Sequence, residues 1–321
     1  MEYKHKILVT GGYGFIGGNF IKFLREYFRT DALIVNVDKN GYASNPEYAI
    51  PYCNISHHID IADASALESV FDESDPYDYI FHFAAESHVD NSISGPTVFV
   101  ESNVLGTQNL LECYRNQNKG HGRFIHISTD EVYGHLGATD PAFTEETPLS
   151  PRSPYAASKA SSDLMCLSYI STYGLDISIT RCCNNFGPNQ YREKLIPTVI
   201  DSLQEGVKIP VYGKGDNIRE WIHVKEHNKA VMNVAAKGES GVYNIGSGVE
   251  LTNMELVRLI CKIMCKDPDE NIEFVEDRLG HDFRYAIDCS KAKEIGIRQG
   301  SYANFLVELE EYIGYYIYNG R

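Results

Sequence analysis

Lys6-Ile7-Leu8-Val9-Thr10-Gly11-Gly12-Tyr13-Gly14-Phe15-Ile16-Gly17 decides the fold class. Its first five residues form a short apolar, β-branched run and read as a strand. The glycines follow at G-x-G-x-x-G (Gly12, Gly14, Gly17) and at the wider G-x-x-G-x-x-G (Gly11, Gly14, Gly17). Phe15 to Phe28 then places Phe15, Ile16, Phe20, Phe23, Leu24 and Tyr27 at a helical period. A second strand, Leu33 to Val37, ends at Asp38. Strand, glycine turn, helix, strand and acid, in that order, bind a dinucleotide: the glycines let the backbone approach a pyrophosphate seated on the helix N-terminus. Asp38 would accept hydrogen bonds from the ribose hydroxyls and repel a 2′-phosphate, which favours NAD over NADP. A third strand, Tyr52 to Ile59, delivers Asp60-Ile61, where an acid could meet the adenine amino group.

Outward from this unit the alternation continues. Tyr79 to Ala85 is a continuous apolar run, as a buried parallel strand requires, and ends in Glu86-Ser87-His88. Small Ala84 and Ala85 suit close approach of a cofactor, and Ser87 stands where substrate would bind. Phe99 to Tyr114 reads as a long helix carrying Asn103. The apolar run Phe124 to Ile127 leads into Ser128-Thr129-Asp130-Glu131-Val132-Tyr133-Gly134, which puts a threonine and two adjacent carboxylates at a strand end. Ligands bind at such ends in parallel sheets. Ser153-Pro154-Tyr155-Ala156-Ala157-Ser158-Lys159 then opens a helix. Tyr155 and Lys159, four apart, share one face, and a lysine cation beside the phenol favours the phenolate, a base near neutral pH. The strand Asp176 to Arg181 ends in Cys182-Cys183-Asn184-Asn185, whose amides suit sugar hydroxyls or a nicotinamide amide.

The second half alternates less regularly. Lys194 begins a helix, Pro210-Val211-Tyr212-Gly213 and Arg219 to Val224 read as short strands, Tyr243 to Gly246 as another, and Asn253 opens a helix. Lys194, Arg219 and Arg278 are the cations available to hold a diphosphate. A final helix carries Leu306, Leu309, Tyr312 and Ile313 on one apolar stripe.

Whole-chain properties narrow the partners. With 29 Lys+Arg against 44 Asp+Glu the net charge is −15, which argues against a nucleic-acid groove or an anionic membrane surface. No apolar run approaches a membrane span. The eight cysteines form no C-x-x-C pair, and the N-terminal run enters a strand without an export-signal layout. Free thiols and a cytoplasmic location are expected. No metal site is expected.

These motifs resemble the extended short-chain dehydrogenase/reductase superfamily. Within it, Ala84 to Asp90, Thr129 to Gly134, Asn184 to Pro188, Glu193 to Pro197 and Asp277 to Asp282 look like nucleoside-diphosphate-glucose 4,6-dehydratases of the dTDP-glucose or UDP-glucose type. The resemblance implies an α/β fold: a Rossmann doubly wound parallel sheet (1–185, with about 220–246 returning to it) and a smaller mixed α/β substrate-binding part (186–321). It implies NAD held by Gly11, Gly12, Gly14, Phe15, Ile16, Gly17, Asp38, Asp60, Ile61, Ala84, Ala85, Tyr155, Lys159 and Asn185. It places Ser87, Thr129, Asn184, Lys194, Leu195, Arg219, Asn253, Arg278 and His281 around the sugar nucleotide, with Pro210, Val211 and Tyr212 bordering the base. It also implies a homodimer that pairs the helices beginning near Phe99 and Tyr155.

The expected chemistry follows. Tyr155 takes the proton of the sugar 4-hydroxyl as C4 is oxidised, Lys159 supports it, and Thr129 hydrogen-bonds the 4-oxygen. Glu131 removes the C5 proton, and Asp130, kept protonated beside the Glu131 charge, protonates the departing 6-hydroxyl. The product is the 4-keto-6-deoxy sugar nucleotide, as in rhamnose-type deoxysugar biosynthesis. A nucleotide-sugar 4-epimerase or decarboxylase on the same scaffold is the alternative, but neither needs the adjacent acid pair. A non-catalytic NAD sensor would be free to lose Tyr155 or Lys159, and both are present.

Overall fold

The computed structural model describes residues 3–72, 75–277 and 280–320. Twelve strands run in chain order among them: β1 His5–Thr10, β2 Ala32–Asp38, β3 Ile55–His58, β4 Tyr79–His82, β5 Arg123–Thr129, β6 Ile177–Cys182, β7 Asn184–Phe186, β8 Ile209–Tyr212, β9 Ile218–His223, β10 Gly241–Ile245, β11 Glu250–Thr252 and β12 Ile272–Val275. Seven form one sheet in the order β10-β6-β5-β4-β1-β2-β3. Every pairing in it is parallel. Helices cover both faces, so the inner strands are buried on both; β6 is buried at all six positions. The strand order reverses at β1, between β2 and β4, and opens a crevice at the carboxyl ends.

Two cores flank this sheet. Ile7, Val9, Phe20, Ile34, Phe81 and Ile125 pack on one face. Leu8, Val35, Ile80, Leu110, Phe124 and Ile179 pack on the other. Consecutive strand residues go to opposite faces, which is why Ile7 and Leu8 part company. The second half builds a third core from Phe186, Ile200, Val257, Leu309, Tyr312 and Ile313. A three-stranded sheet, β11-β9-β7, and the parallel pair β8–β12 contribute residues to it. The Val224–Lys237 helix returns to the large sheet, and β10 extends its edge.

Several elements differ from their sequence expectation. Ile50–Tyr52 is a 3-10 turn, not the start of a strand: Pro51 has no N–H for a ladder, and β3 begins at Ile55. β4 ends at His82; Phe83 still donates to Thr10 at 3.0 Å, after which the chain peels into the crevice. The long helix after Phe99 opens with a π-helical stretch, Val100–Leu105, before Gly106–Asn116. That stretch carries Asn103, whose side chain bonds the Glu86 backbone and Ser158 Oγ and so ties this helix to the next. Arg219 to His223 lies in the small sheet, not the large one.

Candidate active site

A cleft of about 380 Å³ opens at the carboxyl ends of the large sheet. Five strand ends contribute to its wall: the glycine turn after β1, Asp38 at the end of β2, Phe83 to Ser87 after β4, Ile127 to Thr129 of β5, and Cys182 to Asn185 at and after the end of β6.

The glycine turn fits a dinucleotide. Gly11 adopts φ +75°, and a Cβ there would fall 2.5 Å from the Ala84 nitrogen. A Cβ on Gly17 would fall 2.3 Å from the Gly11 carbonyl oxygen. The Phe15–Phe28 helix starts at Gly14 with no side-chain cap and no acid in its first turn, so its N–H groups are left for an anion. Gly12 does not line the cleft: its N–H donates to Asn36 Oδ1 at 3.0 Å, and a Cβ would meet that same oxygen. Asp38 is buried and accepts from the N–H groups of Tyr13 and Asn40 at 2.9 and 2.7 Å. Burial pushes its carboxyl up. Lys39 is committed elsewhere, 2.7 Å from Glu86, 2.8 Å from Ser102 Oγ and 3.9 Å from Asp60. Phe15, Ile16, Asp60, Ile61, Ala84, Ala85 and Asn185 also line the cleft.

β5 delivers the reactive cluster. Thr129 caps the 3-10 turn Asp130–Tyr133 by accepting from the Glu131 N–H at 3.3 Å. This turn sends Asp130 inward, 1% exposed, and leaves Glu131 in the cleft wall. Asp130 Oδ1 accepts from Thr129 Oγ1 at 3.2 Å, and Oδ2 has no hydrogen-bond partner among the described residues. Burial first, then the charges of Glu131 and Glu220, push the Asp130 carboxyl well up, and Arg219 opposes them. The sequence reading named Glu131 alone; burial is the larger cause.

Ser153 caps the Pro154–Tyr173 helix, accepting from Ala156 at 3.1 Å, and Pro154 starts its first turn. Tyr155 and Lys159 both reach the cleft from its buried face. Here the sequence reading needs correction. Burial and the Glu131 charge push the Tyr155 phenol well above its usual range, against the lowering influence of the Thr129 hydroxyl. Lys159 donates to the Ile127 carbonyl at 2.8 Å, and burial lowers its own pKa. In the protein alone, burial outweighs any help that Tyr155 receives from Lys159. The positive charge of a nicotinamide ring is what this pocket is suited to add.

The expected substrate residues divide. Ser87, Asn184, Lys194 and Leu195 line the cleft with Thr129, and Lys194 Nζ lies 3.4 Å from the Ser87 carbonyl. Tyr212 and His281 stack edge to face 6.4 Å apart, outside that lining, and His281 bonds Asp277 at 2.6 Å. Pro210 faces outward beside them, whereas Val211 is buried in the third core. Asn253 begins the Asn253–Ile263 helix, its N–H held by the Asn217 carbonyl at 2.9 Å. Arg219 is 8% exposed; it donates to the carbonyls of Ile218, Asp282 and Phe283 and lies over the Tyr285 ring at 4.4 Å. Its guanidinium is committed to these carbonyls and is not a free cation. Arg278 lies outside the described residues.

Sequence reasoning missed three features. Tyr42 donates to Glu193 at 3.0 Å across the cleft mouth, a contact spanning 151 residues. Glu86 anchors Lys39. Glu220 is 1% exposed behind Asp130, accepts from the Gly248 and Ile287 N–H groups at 2.7 and 3.3 Å, and is pushed up by burial to about 7. Their only sequence signal was acidic residues in otherwise apolar or motif-bearing stretches.

Comparison with known proteins places this geometry. The family model described as GDP-mannose 4,6-dehydratase matches residues 8–299. dTDP-glucose 4,6-dehydratase 1 of Escherichia coli (strain K12) is 45% identical over 312 residues, covering 89% of this chain and 86% of that protein. A crystal structure of a dTDP-glucose 4,6-dehydratase from Streptomyces venezuelae, with NAD bound, superposes with a TM-score of 0.90 at 44% identity, covering 98% of this chain and 97% of the other. A UDP-glucose 4-epimerase from Thermotoga maritima reaches the same TM-score at 26% identity, covering 98% and 100%. Shape is thus shared with epimerases, whereas sequence sides with dehydratases. The chain belongs to the GDP-mannose 4,6-dehydratase family, with the extended short-chain dehydrogenase/reductase fold.

Proposed function

We propose that this chain is an NAD-dependent hydro-lyase that converts dTDP-glucose or UDP-glucose to the 4-keto-6-deoxyglucose nucleotide. The observation that carries the reading is the acid pair at the end of β5: Asp130 buried with its carboxyl pushed well up, Glu131 in the cleft wall, both beside Tyr155. Oxidation alone, or epimerisation, has no use for it.

NAD, when bound, supplies reversible two-electron chemistry, oxidising C4 and later reducing C6. Gly11, Gly14, Gly17 and Asp38 hold it, and Lys39, tied to Glu86, has no free charge for a 2′-phosphate. Tyr155 accepts the 4-hydroxyl proton while Thr129 holds the 4-oxygen. The 4-ketone acidifies the C5 proton, which Glu131 removes. Asp130 gives its proton to the departing 6-oxygen as water leaves, and Glu131 returns its proton to C5. Ser87, Asn184 and Lys194 orient the sugar and its diphosphate in the same cleft.

We place the division of labour near residue 185, cofactor on the large sheet and substrate on the second half. We further infer a homodimer through the helices after Phe99 and Tyr155: Val100, Leu105 and Leu164 are 54%, 42% and 57% exposed there. All eight cysteines are free, which suits a reducing cytoplasm. The product is a precursor for rhamnose-type deoxysugars. Among the described residues no helix is long and apolar enough to cross a membrane.

The test is mass spectrometry of dTDP-glucose and UDP-glucose, each incubated with the purified protein. Loss of one water from either supports the reading, and the faster substrate identifies the base. Unchanged mass with formation of the galactose epimer would replace the reading by an epimerase.

A further inference from the structure

The Pro154–Tyr173 helix turns a polar stripe into the protein. Tyr155, Lys159, Ser162 and Asp163, spaced as one helical face, are all buried. Burying charges is costly, and apolar residues of similar size often serve packing as well or better. Lys159 has a use at the cleft. What stands behind it has none so far.

The contacts form a chain leading away from the cleft. Lys159 Nζ donates to the Ile127 carbonyl at 2.8 Å and lies 3.4 Å from His126 Nε2. That same nitrogen is 3.0 Å from Ser162 Oγ and 3.5 Å from Asp163 Oδ1. The other Asp163 oxygen accepts from Arg181 Nε at 2.8 Å. Lys159, His126, Asp163 and Arg181 are each at most 3% exposed. One imidazole nitrogen therefore stands between an ammonium and a carboxylate.

We propose that His126 is a positioning residue for Lys159: wedged between that ammonium and Asp163, it fixes the place at which Lys159 meets the cleft beside Tyr155. The proposal rests on the role given above to the Tyr155–Lys159 pair.

The groups facing His126 support it. They are His82 from β4, with ring centroids 5.1 Å apart, Lys159 and Asp163 from the helix, and Arg181 from β6. Burial, then the Lys159 charge, hold the His126 imidazole down to about 4, so it is neutral and adds no repulsion of its own. His82 is also neutral, pinned between Thr10 and Thr107 at 2.7 and 2.9 Å. Burial alone would drive Lys159 toward its neutral form, and the Asp163 charge is the largest influence against this. A lysine that drifts or loses its proton no longer favours a phenolate.

The test compares His126→Gln with His126→Asn. The Gln amide can reach the position of Nε2; the Asn amide stops near Nδ1. Both keep a polar group in the core, so a merely structural role treats them alike. The readout is the ultraviolet tyrosinate titration of the NAD-loaded protein, with the NAD-loaded Tyr155→Phe protein subtracted to isolate Tyr155 from the other tyrosines. The expected result is a Tyr155 midpoint raised by about one pH unit in His126→Asn and within a few tenths of wild type in His126→Gln. With active enzyme, the acid limb of kcat/KM moves up in parallel and KM for the sugar nucleotide is unchanged in His126→Asn. Equal midpoints in the two variants, shifted or not, would overturn the proposal. The titration needs no turnover, so a wild type that eliminates no water would strike the dehydratase reading alone.

Discussion

Thr129 Oγ1 donates to Asp130 Oδ1 at 3.2 Å, and the same hydroxyl holds the Tyr155 phenol down against its burial. One hydroxyl thus stands between the base of the oxidation step and the acid of the elimination step. In the proposed cycle Tyr155 ends with a proton gained and Asp130 with one lost, so the group between them bears on both.

Thr129→Val should fold and bind NAD but lose about 10²-fold in kcat, the cost of removing one hydrogen-bond donor at a reacting oxygen. Its acid limb should move to higher pH, because the Thr129 hydroxyl lowers the Tyr155 pKa. Thr129→Ser keeps the hydroxyl and should stay within about tenfold of wild type. Steady-state rates across pH check both.

Gly11→Ala should abolish NAD retention. The φ of +75° alone costs a side chain about 1–3 kcal/mol, and the added Cβ meets the Ala84 backbone at 2.5 Å. Gly174→Ala shares the positive φ but has open space around it, and should lower the melting temperature without releasing NAD. Bound cofactor measured after gel filtration separates the two.

Glu220→Gln should change stability in a pH-dependent way. Burial lifts the carboxyl from 4.5 to about 7, so the folded state holds this proton more tightly than the unfolded chain. Wild-type stability therefore falls as pH rises from the unfolded pKa to the folded one, then levels. The variant lacks this loss. Its melting temperature relative to wild type should rise by roughly 2–4 °C between about pH 5 and about pH 8. The buried imidazoles of His126, His223 and His227, pushed down to about 4, act in the opposite direction but are common to both proteins and cancel.

The large sheet was legible because its signals are local. Gly11, Gly14 and Gly17 sit within seven residues, the strands are short apolar runs, and Tyr155 and Lys159 show their shared face by spacing alone. The strand-end position of Thr129, Asp130 and Glu131 was legible for the same reason. What could not be read depends on distant segments. That Asp130 turns in and Glu131 does not is decided by one 3-10 turn. Arg219 reads as a free cation until the carbonyls of Asp282 and Phe283 arrive to occupy it. Glu220 gains its burial only when Gly248 and Ile287 fold over it. Pairings such as Tyr42 with Glu193 carry no periodic trace at all.

The most direct test of the account follows deuterium placed at C4 of dTDP-glucose or UDP-glucose. Oxidation at C4, loss of water and reduction at C6 inside one closed site require the label to move within the sugar. The product should be lighter by one water, should retain the deuterium, and should carry it on the C6 methyl. Deuterium still at C4 of a sugar of unchanged mass, or washed out into solvent, would contradict the assignment of Asp130 and Glu131 as the acid and base of an elimination.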